Sequence, residues 1–437
     1  MNRKANSKIM KPFIVSFFII AQAISAWTQM PMQAPRMNMP SLSAPQVPNS
    51  QQRAAEEQSR IQQQNAAMMQ RQTAQREQQT QQLQEARRTL RPGIGSPINY
   101  DFPEKQDAST VYFKQAMAEI QDMLDGKQPL NLKRAVFLSE NALFDGKMSY
   151  DGFCNEIAMN IDVFQAFMEK EGLSMKDDVA KKYLLQKFFS DTLTMKQKNG
   201  GHQFTQPPFK YDFEDPMGEK DPRKQCVSKL LAEKKGQCHS LPLLYLIFAE
   251  ALDVKAWLSY SPQHSYIKLQ DGRGVWYNFE TTNGHYSTDS WVLSSGYVKA
   301  EALKSKIYMD TLSKRETIAA CLVDMANYYT KRFDNAPFVL ACLNKALEYC
   351  PKNIVALQLK ADYYTTLFQY VALQLGYPPK EMLHLFPEAN SIFKKYNELY
   401  VLIDKSGYQD MPENVYQDWL KSFENQKAQQ PIKVIKP

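Results

Sequence analysis

One stretch of this chain alternates apolar and polar residues with period two, while its other strongly patterned segments repeat at three and four. The runs 254–260, 264–270 and 275–280 are short, rich in β-formers, and bounded by Ser261-Pro262 and by Asp271-Gly272-Arg273-Gly274, as half-buried antiparallel strands are. Around them Val111, Phe113, Met117, Ile120 and Leu124, and again Phe153, Ile157, Ile161, Phe164 and Phe167, recur at helical steps, so each segment presents one apolar stripe to a shared core. The expected class is α+β, mostly helical, with one small antiparallel sheet. A further segment is barred from any core. Of the 34 residues from Gln51 to Gln84, 14 are Gln, and Ile61, Met68, Met69 and Leu83 are the only large apolar side chains; it is read as a disordered or partly helical stalk.

The 437 residues include 53 Lys and Arg against 46 Asp and Glu, a net charge of +7. Four of the positives, Arg3, Lys4, Lys8 and Lys11, precede the apolar run 12–21, which gives way to Ala23, Ser25, Ala26 and Thr28. That order is the order of a secretory leader, with cleavage expected after Thr28 and an uncleaved anchor as the alternative. The cleaved chain would carry a charge of only about +3, so neither nucleic acid nor a strongly acidic partner is expected. No later segment approaches the ~18 apolar residues of a membrane span. The expected divisions are a leader over 1–28, the stalk over 29–98, a helical part over 99–200, the strand-bearing domain over 201–300, a second helical region over 301–424 and a loose polar tail over 425–437. The protein is expected to be exported, periplasmic or secreted, without a membrane span after cleavage.

Six cysteines occur, at 154, 226, 238, 321, 342 and 350, without the spacing of a zinc knuckle or a disulfide-stapled domain,. Most read as small core residues. Cys238 stands apart: Gly236 allows a sharp turn, and a strongly apolar helix starts at or beside the cysteine, with Pro242 in its first turn,. The thiol should lie at the positive end of a helix, which favours thiolate. The hairpin that follows supplies a base. For both apolar rows, Ile267 and Leu269 with Val275, Tyr277 and Phe279, to share one face, opposed residue numbers must have an even sum. A sum of 544 pairs Ile267 with Tyr277, Tyr266 with Asn278, and His264 with Glu280. The expected catalytic set is therefore Cys238 as nucleophile, His264 as base and Glu280 as orienter, with the Cys238 amide as first oxyanion donor. His239 and Trp276 read as cap or site-wall residues, and Asn278 and Asp289 as fallback orienters. A zinc site built from Cys238, His239, His264 or His285 lacks any usual ligand spacing, so no metal and no cofactor is expected.

At these residues the sequence resembles the transglutaminase-like superfamily, a branch of the papain-like cysteine fold. The resemblance rests on Gly236-Gln237-Cys238-His239-Ser240-Leu241 opening a helix, on Pro262-Gln263-His264 opening a strand, and on Trp276-Tyr277-Asn278-Phe279-Glu280-Thr281, where the family usually has Trp, three residues, then Asp. It covers roughly residues 200–290 and departs from the family in having Glu as the acid. It implies thiol chemistry on amides, most simply peptide or isopeptide hydrolysis with a protein or peptide substrate. Some members lack the cysteine and are not enzymes, so the alternative is a non-catalytic module for protein binding or assembly. Farther on, Ala326, Tyr329, Ala341, Ala346-Leu347 and Pro351, followed by Ala356-Leu357, Ala361 and Tyr364, recur about 35 residues apart,. This resembles one and a half to two tetratricopeptide repeats, which implies a helical region able to take a protein partner. Cys321, Cys342 and Cys350 fall on its helices and read as core.

Overall fold

The computed structural model describes residues 97–196, 203–216, 218, 220–295 and 297–429. The expected leader, nearly all of the stalk and the end of the tail lie outside the described residues. By contact density the chain divides into two units. Among described residues the larger holds Tyr100–Tyr370 and 383–429, and the smaller holds 97–99 and Val371–Met382. In the smaller, the Gln374 side chain brackets Asn99, accepting from its N–H and donating to its carbonyl at 2.9 Å each.

The larger unit opens with helices α1 (Thr110–Leu124), α2 (Leu132–Leu143), α3 (Tyr150–Lys170) and α4 (Asp178–Ser190). Their starts are set locally: Asn131, Ser149 and Asp177 each accept from an amide two or three residues on, as N-cap side chains do. Short strands β1 (Leu193–Lys196), β2 (Gln203–Gln206) and β3 (Lys210–Tyr211) follow, then α5 (Val227–Glu233), β4 (Lys235–Gly236) and α6 (Ser240–Ala251). Strands β5 (Trp257–Ser261), β6 (His264–Gln270), β7 (Trp276–Glu280) and β8 (His285–Ser287) form an antiparallel sheet in sequence order. Helices α7 (Asp289–Ser295), α8 (Ala300–Lys304), α9 (Lys314–Phe333), α10 (Pro337–Tyr349), α11 (Ile354–Gln374), α12 (Pro387–Lys405) and α13 (Glu413–Gln429) complete the order.

Helix α6 is the centre of the core, buried at every position from Ser240 to Ala249. A helix apolar all round can only be stable when enclosed, and here Phe188, Phe189, Phe209 and Phe279 surround its Tyr245 and Phe248 with ring centroids 5.2–6.4 Å apart. Each buried aromatic contributes roughly 2–3 kcal/mol of burial, so the first turn of α6 is anchored from behind. Helix α9 begins with a capping box between Ser313 and Glu316 and packs on α10, on α2 and on α1.

The α+β, mostly helical class describes the molecule, and no helix among the described residues is long and apolar enough to cross a membrane. The structure also departs from the expectations. The stretch 99–235 is not purely helical. It carries the antiparallel pair β1–β2 and the strand β3, which pairs in parallel with β4, so the main sheet is not the only strand cluster. Most residues of the parts expected over 99–200, 201–300 and 301–424 share the larger unit, where α9 packs against α1 and α2, while Asn99 and Val371–Met382 belong to the smaller. Val111 and Ala341, assigned to apolar stripes, are exposed. The tail expected from residue 425 continues as α13 through Gln429.

Candidate active site

Cys238 sits at the start of the buried helix. The Gln237 carbonyl already accepts from the Leu241 amide at 3.0 Å, so hydrogen bonding begins one residue before the cysteine and the sulfur lies in the first turn. Gly236 is required by close approach: a Cβ there would meet Ser240 Oγ at 2.6 Å and Leu230 Cδ1 at 3.0 Å. From the other side the β5–β6 hairpin closes on the cysteine. Ser261 pairs with His264 across the two-residue turn Pro262-Gln263, and Gln263 adopts φ +54°, a left-handed conformation that costs a non-glycine residue about 1 kcal/mol. That turn puts the Gln263 carbonyl 3.9 Å from Cys238 Sγ, and Ser265 Oγ donates to the Cys238 carbonyl at 2.5 Å.

His264 and Glu280 meet, but not as directly opposed residues. The observed register pairs Ile267 with Phe279, Lys268 with Asn278 and Leu269 with Tyr277, a sum of 546 where 544 was expected. The cause is the turn: Asp271 Oδ1 accepts from the amides of Arg273 and Val275 at 2.9 Å each, which holds residues 271–275 as a five-residue loop beyond the pair Gln270–Trp276. The parity survives the two-residue shift, so both side chains stay on one face and meet on the diagonal, within reach of long side chains. His264 Nε2 donates to Glu280 Oε2 at 2.6 Å, and both side chains are 1% exposed.

With Nε2 committed to Glu280, Nδ1 is the ring nitrogen left to serve the thiol, and Cys238 and His264 each act on the other's ionisation. Burial pushes the Cys238 thiol up, yet the bond and charge of His264, the charge of His239 and the Ser265 amide more than reverse it, and the thiol ends below its ordinary value. Burial pushes His264 down, but the charge of Glu280 and the bonds to Cys238 and Glu280 overrule it, so the imidazole is raised. Thiolate and imidazolium therefore favour each other at neutral pH.

Of the remaining expected residues, His239 adjoins Cys238 and hydrogen-bonds Asp324 on α9, Nε2 to Oδ2 at 3.1 Å. Trp276 lies apart: it is 44% exposed, packs edge-on against Trp257 at 5.0 Å, and stands four residues, about 13 Å along the strand, from Glu280. The fallback orienters are engaged elsewhere, Asn278 donating to Asp289 at 3.0 Å while Lys268 holds the same carboxylate. Among the described residues no group of three or more His, Cys, Asp or Glu is placed to hold a metal ion. A cavity of about 430 Å³ lined by Glu119, Arg134, Glu250 and neighbours includes none of these site residues.

Three further residues enter the site from segments the sequence reading did not connect with it. Trp419 on α13 sets its ring edge-on to His264 at 4.7 Å. Tyr416, one turn earlier and fully buried, is among the groups whose charge acts on Tyr211. Burial first, then the charge of Cys238, keeps the Tyr211 hydroxyl protonated. Gln263 Nε2 also donates to the Met411 carbonyl, 148 residues away, fastening the lead-in to α13 over the hairpin. The chain matches no family model, no curated protein and no solved structure.

Proposed function

We propose that this protein is an exported cysteine enzyme of transglutaminase-like type that transfers an acyl group from an amide, hydrolysing peptide or isopeptide bonds. One observation carries the reading: a thiol in the first turn of a buried helix lies in the field of an imidazole whose Nε2 is held at 2.6 Å by a buried carboxylate. In the first step Cys238 Sγ bonds to the acyl carbon, the C–N bond breaks, and His264 gives its proton to the departing amine. In the second, His264 takes a proton from water, the hydroxide adds to the thioester, and the C–S bond breaks to free a carboxylic acid, which loses its proton to solvent, and to restore the thiolate beside the protonated His264. Glu280 keeps the ring oriented and favours its charged form throughout. First-turn amides beside Cys238 can receive the oxyanion. The leader-like first 28 residues support export, and the α9–α10 helices, tetratricopeptide-like in their small residues, support a protein partner.

Alkylation of the full chain with iodoacetamide, read at each cysteine by peptide mass, tests the reading. At pH 6 an ordinary thiol of pKa ~8.5 is only about one part in 300 thiolate. Cys238 is expected to react far faster than that fraction allows, and His264→Ala to return it to the ordinary rate. An ordinary rate in the unaltered protein would overturn the enzyme and favour a binding or assembly module with an inert cysteine.

A further inference from the structure

Two imidazoles act on the Cys238 thiol, and only one of them belongs to the proton-transfer pair. His239 follows Cys238 directly, with Cα atoms about 3.8 Å apart, and its Nε2 lies 3.1 Å from Asp324 Oδ2, the two side chains 24% and 20% exposed. Resting on the cysteine-enzyme reading, we propose that Asp324 on α9 holds His239 as a second, fixed imidazolium beside Cys238, a cation that favours the thiolate and takes no part in moving protons. His264 is cationic for only part of the cycle, because it gives its proton to the amine and takes another from water. His239 has no such duty, since it acts on Cys238 by its charge alone, where His264 acts by bond and charge together. Asp324 is thus a positioning residue, and it ties the reactivity of the site to the second helical region.

The groups that face this pair leave it as a cation. Burial pushes His239 down, but the charge and bond of Asp324, followed by the charges of Cys238 and Glu140, raise it to about 9. Glu140 on α2 is itself pushed up to about 7 by burial. Cys226, Tyr260, Cys321 and Tyr328 feel Asp324 from α5, β5 and α9 itself, and all are raised, by burial first, so they stay uncharged near neutral pH. Asp324 is therefore the carboxylate in contact with His239. The same His239 charge is among the causes that bring the Cys238 thiol down.

The test is the pH profile of Cys238 alkylation between pH 5 and 10 in the full chain. Asp324→Asn is expected to move the acid limb up by about one pH unit, slowing the reaction about tenfold at pH 6, with the rate at pH 10 unchanged. Asp324→Glu should recover most of the loss, and His239→Gln, which leaves α9 intact, should match Asp324→Asn. An acid limb unmoved in both Asp324→Asn and His239→Gln overturns the inference, as does a uniform loss at every pH that Asp324→Glu does not relieve. If the unaltered protein shows no depressed limb at all, the enzyme reading itself has failed; a limb abolished by His264→Ala but indifferent to Asp324 and His239 sinks this inference alone.

Discussion

Two helices in this molecule open beside a cysteine, and the two sulfurs are driven in opposite directions. Cys226 is the N-cap of α5 and fully buried. The amides of Val227 and Ser228 that follow it are taken by the Glu140 carboxylate at 2.6 and 2.9 Å. Its thiol, 4.0 Å from the Tyr328 hydroxyl, is pushed far up by burial and then by the Glu140 charge. Cys238, twelve residues on, is partly exposed. The bond and charge of His264, the charge of His239 and the Ser265 amide bring its thiol down. Both mouths offer the same helix field. What separates them is the occupant of that field: at α5 a carboxylate from α2 has used it, and at α6 the sulfur has it together with two imidazoles.

The comparison breaks first if Cys238 can be made to behave like Cys226. Glu280→Gln fills the same space without the charge that raises His264, and is expected to slow Cys238 alkylation at pH 6 by about a hundredfold, on the scale of general acid–base groups. An unchanged rate would mean that the charge opposite the sulfur is not what sets the two mouths apart. The second break acts on the α5 mouth. Folded Glu140 titrates near 7 and an unfolded glutamate near 4.5, so between those values the folded chain holds a proton that the unfolded chain has released. Stability then falls as pH rises through that window. Urea midpoints are expected to show the unaltered protein losing about 2 kcal/mol more than Glu140→Gln between pH 4.5 and 7.5. Equal slopes would show that the carboxylate is held ionised throughout, its bonds to the Val227 and Ser228 amides outweighing burial.

The place of Cys238 at a helix start was legible because a glycine, a cysteine and an apolar run follow one another in the sequence. The shared face of His264 and Glu280 was legible too, because the strand period is two and parity survives a slip of two residues. The register was not. It turned on whether the Asp271 carboxylate would fold back onto the amides of Arg273 and Val275, a local choice that the loop's composition leaves open. Strands β1 to β4, of two to four residues, are too short to carry a period. Glu140 and Asp324 lie inside helices, where acids read as solvent-facing, and nothing in their spacing announces that tertiary packing turns them inward. Tyr416, Trp419 and Leu420 form an ordinary apolar stripe, and no pattern within α13 says which surface it will cover. The site's chemistry was local in sequence, and its surroundings were set by contacts across 80 to 150 residues.

The smallest expected effect is the sharpest check on whether the two mouths are independent. Cys226→Ala removes one buried sulfur, which is expected to cost about 1 kcal/mol, read as a lowered urea midpoint. The acid limb of Cys238 alkylation is expected to stay within about twofold of the unaltered protein. That outcome is not trivial, because the chain between the two cysteines is short and stiff. Lys234 ends α5 at φ +56°, β4 follows at once in pairing with β3, and Gly236 is pressed against Leu230 of α5 on one side and Ser240 of α6 on the other. A shift of α5 into the space left by the sulfur could reach α6 through Gly236. But the groups that set the Cys238 thiol lie on β6, on β7 through Glu280, and in the His239–Asp324 pair, none of them on α5. If the limb moves with Cys226→Ala, reactivity is transmitted through the backbone at Gly236; if it stays, it is set across space by the imidazoles.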